Sequence, residues 1–165
     1  GDVGMSLLTG LVQQNVDRHT SDMITLVATG AITTAVHAGR TLLMGEVGGD
    51  AAATFTLPAA TGTGSIFRFV VSVINTSNYL IKVADATDTI DGQIMITDAD
   101  GTAATSFVTA ATTDTITLNG STTGGGAIGD YVEVIDIASN QYAVSGMVTC
   151  AAGSNIATMM SATVS

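Results

Sequence analysis

The chain has 165 residues, 46% of them hydrophobic but only 11% charged, and its four basic and fourteen acidic side chains give a formal charge of -10. Phosphate backbones are bound by clustered Lys and Arg, so DNA and RNA are excluded as partners. With about 25% charge expected of an ordinary domain, the surface here must be built from Thr, Ser, Ala, Gly and Asn, and Thr alone fills 27 positions. That length suits one domain burying roughly 70% of its unfolded surface. The β-branched content and the scarcity of Leu, Glu, Lys and Arg point to an all-β fold.

Residues 1–22 read as an N-terminal arm: Ser6-Leu7-Leu8 and Leu11-Val12 are apolar, while Gln13 to His19 is polar and mostly unbranched. A helical turn between Leu7 and Val16 would contain Gly10 and be too short to stand alone, so any order would come from docking. Residues 23–165 read as a single β-rich domain. Its expected strands are Met23–Ala28, Ala31–Ala35, Thr41–Met44, Ala53–Leu57, Ile66–Ile74, Tyr79–Val83, Gln93–Thr97, Ala104–Thr109, Thr115–Leu118, Tyr131–Ile137 and Gln141–Val148. Short runs at about ten-residue spacing predict an antiparallel β-sandwich or barrel.

In Thr113 to Leu118, Ile116 and Leu118 alternate with Thr115 and Thr117, which predicts one wet face. Phe67 to Ile74 is nearly continuous in apolar character, which predicts a central strand covered on both faces or lying at a subunit contact. Turns are marked at Val47 to Asp50, Thr61 to Gly64, Asn75 to Asn78, Asp98 to Gly101 and Ala138 to Asn140, because these residues tolerate positive φ or bond their own backbone. Asn119 to Asp130, with five glycines, is expected as a surface loop between two strands. Pro58 suits a strand end, where a missing amide is tolerated. No fixed-period repeat is present.

Candidate chemistry is sparse. Gly124 to Gly129 matches G-x-G-x-x-G, but Asp130 to Ile135 after it reads as a strand, whereas a dinucleotide site needs a helix there to receive the pyrophosphate. Asp85, Asp88, Asp91, Asp98 and Asp100 could bind Ca²⁺ on one rim; we favour Asp91-Gly92 and Asp100-Gly101 as turn dipeptides, with the other carboxylates keeping the surface soluble. His19 and His37 are the candidate bases near neutral pH; Thr20, Ser21 and Asp22 after His19 are residue types that can build a triad, but sequence neighbours on an arm seldom face each other, and His37 looks like a corner residue bonding backbone. Cys150 has no partner for an intrachain disulfide and reads as a small buried residue. No enzyme, cofactor or metal is expected, and no apolar run approaches a membrane span. No export signal is visible, so the chain reads as soluble. The C-terminal Ile156 and Met159-Met160 are expected to pack on the body or on a neighbour.

The strings His37-Ala38-Gly39-Arg40-Thr41, Thr56 to Gly64, Ile81-Lys82-Val83-Ala84, Asp114 to Gly120, Thr122 to Gly125 and Gly129-Asp130-Tyr131-Val132-Glu133 together resemble a family of small virion proteins of tailed phages of aquatic bacteria, cyanophages included, some of which are capsid decoration (cement) proteins. The likeness spans about residues 30 to 150 and rests on turn-and-strand motifs. It implies a structural virion protein on the outer surface of the capsid, bound to the major capsid protein where capsomers meet, often as a homotrimer, and stabilising the shell against genome pressure. The arm residues Leu7, Leu8, Leu11, Val12, Arg18 and His19 are the candidates for contacting the shell or clasping a neighbouring subunit, Arg18 by pairing with acidic shell residues. A receptor- or glycan-binding head of a tail fibre is the alternative. Sugar sites use exposed aromatics, for which Tyr79, Tyr131 and Tyr142 are the candidates.

Overall fold

The computed structural model describes residues 22–45, 52–74, 77–153 and 155–165. Among them the elements run β1 (Met23–Leu26), β2 (Gly30–Ala31), α1 (Thr34–His37), β3 (Thr41–Met44), β4 (Ala53–Thr56), β5 (Ile66–Val71), β6 (Tyr79–Lys82), β7 (Thr89–Asp98), β8 (Ala104–Val108), β9 (Thr115–Leu118), β10 (Tyr131–Ala138), β11 (Gln141–Cys150) and β12 (Met160–Ser161). They form a wide sheet ordered β1-β3-β5-β10-β11-β7-β8 and a narrow sheet ordered β12-β9-β6-β4-β2. The two pack as a sandwich, so the all-β sandwich holds and no barrel closes.

The pairing is mixed rather than antiparallel. Successive strands from β1 to β6 alternate between the sheets, so β1, β3 and β5 stack in parallel in the wide sheet and β2, β4 and β6 do so in the narrow one. Parallel neighbours need a crossover, and here the strand in the opposite sheet supplies it. This half of the molecule is a short two-sided coil. Its rungs are unequal: Met23 is level with Thr41, and Thr41 with Arg68. No fixed sequence period can therefore appear. The later strands close the body with hairpins β7–β8 and β10–β11, although β11 and β7 are again parallel.

The core lies between the sheets. Phe67, Phe69, Val132, Val134, Tyr142, Ile94 and Ile96 from the wide sheet meet Phe55, Tyr79, Ile81, Ile116 and Leu118 from the narrow one, all at most 1% exposed. Phe55 stacks on Phe69 across the gap with ring centroids 5.9 Å apart, and on Tyr79 within its own sheet at 6.2 Å. Each such buried side chain contributes about 1.5–3 kcal/mol.

Several expectations need correction. The strand expected over Ala31–Ala35 stops at Ala31: Thr33 accepts the Val36 amide at 3.4 Å and caps the single turn α1, since a hydroxyl bonded to a nearby amide competes with sheet pairing. Along β5, Phe67, Phe69 and Val71 point into the core while Ile66 and Arg68 are exposed, so its outer face is uncovered. The hydroxyl face of β9 is not fully wet, because Thr115 is buried and bonds Thr163 of the C-terminal segment at 2.8 Å. That segment packs on the body: β12 pairs with β9, and Met159 is 1% exposed. The glycine-rich stretch does join two strands, but it folds back on β11 through Gly126 N–H to Thr149 C=O and Ala151 N–H to Ser121 C=O, both at 2.8 Å, with Gly124 and Gly125 buried.

Candidate functional site

Strand register places the outward side chains of the wide sheet in rows. One row runs Leu43, Val70, Tyr131, Met147, Met95 and ends at Ser106 on β8. The next runs Thr41, Arg68, Glu133, Ser145, Gln93 and Val108. In the first row an apolar band crosses five strands on the face turned away from the core, and Met95 and Met147 are 52% and 55% exposed. In the neighbouring row Arg68 is tied down: it lies 3.5 Å from Glu133, with its guanidinium 4.4 Å from the centre of the Tyr131 ring.

A hollow of about 310 Å³ opens on this face, lined by Met95, Thr97, Ala104, Gly129, Tyr131, Met147 and Thr149 among others. It arises from unequal strand lengths. β10 begins at Tyr131, whereas β11 and β7 run on to Cys150 and Asp98, leaving a step beside Thr97 and Thr149 that Gly129 does not fill. Methionine is flexible and polarisable, which suits a surface that moulds itself to another.

The carboxylates are committed elsewhere. Asp136, 3% exposed, accepts the amides of Thr61, Gly62 and Thr63 and the Thr63 hydroxyl at 2.6–3.2 Å. Burial works against its charge, but those donors, Thr63 foremost, outweigh it and hold the carboxyl below its ordinary value. Asp130 accepts Gly125 N–H, Thr149 N–H and the Thr149 hydroxyl at 2.7–3.0 Å, yet burial dominates and raises it. Asp88, also buried, accepts Ala60 N–H at 3.2 Å and is raised by burial and by the charges of Asp85 and Asp136. Asp114 ties down the C-terminus through Thr163 and Val164 N–H at 2.8 and 3.1 Å.

Of the Asp-rich group singled out in the sequence, Asp98 holds the turn after β7 through Thr102 and Ala103, Asp85 bonds Thr87, and Asp91 accepts from Gln141. Asp88 and Asp98 are buried rather than solubilising. Asp91 and Asp98 lie within β7 while Asp85 and Asp88 precede it, and among the described residues no three metal-ligating side chains group together. Nor, among those residues, is any helix long and apolar enough to cross a membrane. His37 is a corner residue, its Nδ1 accepting Thr33 N–H at 2.9 Å. Cys150 is buried, and burial together with the neighbouring Asp98 charge pushes its thiol up, away from the reactive thiolate.

The arm candidates Leu7, Leu8, Leu11, Val12, Arg18 and His19 lie outside the described residues. Tyr79 and Tyr142 are core residues, their hydroxyls bonded to Val73 C=O at 3.1 Å and Pro58 C=O at 2.5 Å. Only Tyr131 of the three reaches the surface. The outer face of the wide sheet was not legible in the sequence; its one signal was the alternation of Met95 and Met147 with core residues, and that cannot reveal strand neighbours. Compared with protein-family models, with curated proteins and with solved structures, the chain finds no match.

Proposed function

We propose that the chain is a structural binding protein of a phage virion, a capsid decoration protein that docks on the major capsid protein through the outer face of its wide sheet. The observation that carries the docking mode is the apolar band from Leu43 to Met95 with the hollow beside it. Large exposed apolar patches on soluble domains mark interaction sites. The motif resemblance supports the shell as the partner. Such a protein acts by binding free energy alone: bridging neighbouring shell subunits adds contacts that must break before they separate, and standard interfaces of about 1,200–2,000 Å² supply that. The arm adds a second contact in this reading.

The test is co-sedimentation with empty shells assembled from the cognate major capsid protein. The intact chain is expected to saturate the shells, and the Met95→Lys/Met147→Lys variant to bind at least about tenfold more weakly, since two charges would be placed in a desolvated contact. Deleting residues 1–22 is expected to leave a folded body with weakened binding. Failure of the intact chain to sediment with shells would overturn the reading. Wild-type binding by the double variant would remove the sheet face from it.

A further inference from the structure

β8 ends the wide sheet. It pairs with β7 on one side and, among the described residues, with no strand on the other. Its hydrogen-bond phase is set at both ends, where Asp98 N–H donates to Ala103 C=O and Thr109 N–H to Gly92 C=O, each at 3.0 Å. Bonded pairs alternate with non-bonded ones in an antiparallel ladder. Thr105 and Phe107 therefore face β7, and the backbone groups of Ala104, Ser106 and Val108 point outward.

Natural sheets blunt such edges with charges, prolines, bulges or short strands. The narrow sheet does so, since its edge strands β2 and β12 have two residues each. β8 does not: Gly101 to Thr113 contains no charged residue and no proline, in a chain of charge -10. No like charges on the strand itself therefore oppose its pairing with a second copy. The edge is also held rigid. The Asp98 carboxylate grips Thr102 and Ala103 before it at 2.6–3.2 Å, and the Thr109 hydroxyl accepts Gly92 N–H at 2.9 Å after it, so little ordering cost remains on pairing.

We propose that β8 is a self-association edge, through which two copies pair antiparallel about a two-fold axis at Ser106. That register is self-complementary. Ser106 meets Ser106 and Ala104 meets Val108, so the outward groups exchange about six hydrogen bonds, and Val108, 70% exposed, covers the small Ala104 of the other copy. The row that runs from Leu43 through Met147 and Met95 to Ser106 continues across the axis into its twin, doubling the apolar face. The pairing stands independently of what that face docks on.

The test is the solution mass of the full chain by analytical ultracentrifugation, together with three variants. The chain is expected at twice the monomer mass. Val108→Lys and Ser106→Pro are each expected to weaken the pair at least about tenfold; the proline removes an outward amide and leaves the bonds to β7 intact, and circular dichroism checks the fold of both. Ser106→Cys is expected to give a disulfide-linked pair on oxidation, because bonded antiparallel partners lie about 5.5 Å apart at Cα. A monomer at about 100 μM, far above the range of stable pairs, or a trimer insensitive to all three variants, would overturn the proposal. So would a monomer whose β8 amides become protected only when shells are added, which would assign the edge to a foreign strand.

Discussion

At Asp136 three backbone amides and one hydroxyl converge on a single carboxylate, and both of its oxygens face N–H groups. A side-chain amide cannot replace it, because its NH₂ would point at another donor. Asp130 differs: Oδ2 takes the Gly125 and Thr149 amides, while Oδ1 meets the Thr149 hydroxyl, which can reverse and accept. Asp136→Asn is therefore expected to cost about 2–3 kcal/mol and Asp130→Asn less than about 1 kcal/mol, as urea denaturation will measure. Equal losses would show that both sites depend on charge rather than on donor geometry. The two groups also pull in opposite directions with pH. Because folding lowers the Asp136 carboxyl, its contribution is present above the ordinary value of 3.8 and fades as pH falls through the lower folded value. Because folding raises Asp130, its contribution is present below 3.8 and fades as pH rises through the higher folded value. The stability gap between the native chain and Asp136→Asn should thus narrow below about pH 4, whereas a constant gap from pH 6 to 3 would contradict the assignment. Asp136 was not singled out by its sequence neighbourhood, since the loop it caps, Thr61 to Thr63, is distant along the chain.

Among the elements, β7 is the one whose backbone approach leaves least room. Gly92 lies opposite Val144 with φ +144, and a Cβ built there would fall 2.1 Å from the Val144 carbonyl oxygen. Gly92→Ala is expected to destabilise by about 3 kcal/mol through strain and displacement of β11, while Gly30→Ala, with open space around it, should be nearly neutral. Comparable denaturation midpoints would refute that distinction. Strand positions were legible because β-branched and aromatic runs are bounded by turn residues, as in Thr41–Met44 and Thr115–Leu118, which match their expected limits. The dipeptide Asp91-Gly92 was misleading: it lies inside β7 and not at a turn, because the turn residues that bend a hairpin also tolerate close packing within a sheet. Strand direction was not legible either, since side chains alternate with period two in parallel and antiparallel pairs alike.

On the scale of the whole molecule, the resemblance implies a three-fold assembly and the β8 edge a two-fold one, so mass and symmetry decide between them. The proposed docking face gathers residues from five strands scattered between Leu43 and Met147, and the narrow sheet leaves it bare because it covers only the opposite side. A sugar-stacking role would have Tyr131 as its only surface tyrosine, already beneath Arg68. Composition and turn placement were sufficient to predict an all-β body of short strands with a buried thiol, since β-branched runs between turn residues act locally. Which strands neighbour one another, which carboxylates cap which loops and which apolar residues stay outside were decided only in three dimensions. Those properties depend on contacts between residues far apart in the chain, and the period-two pattern of a strand carries no record of its partner.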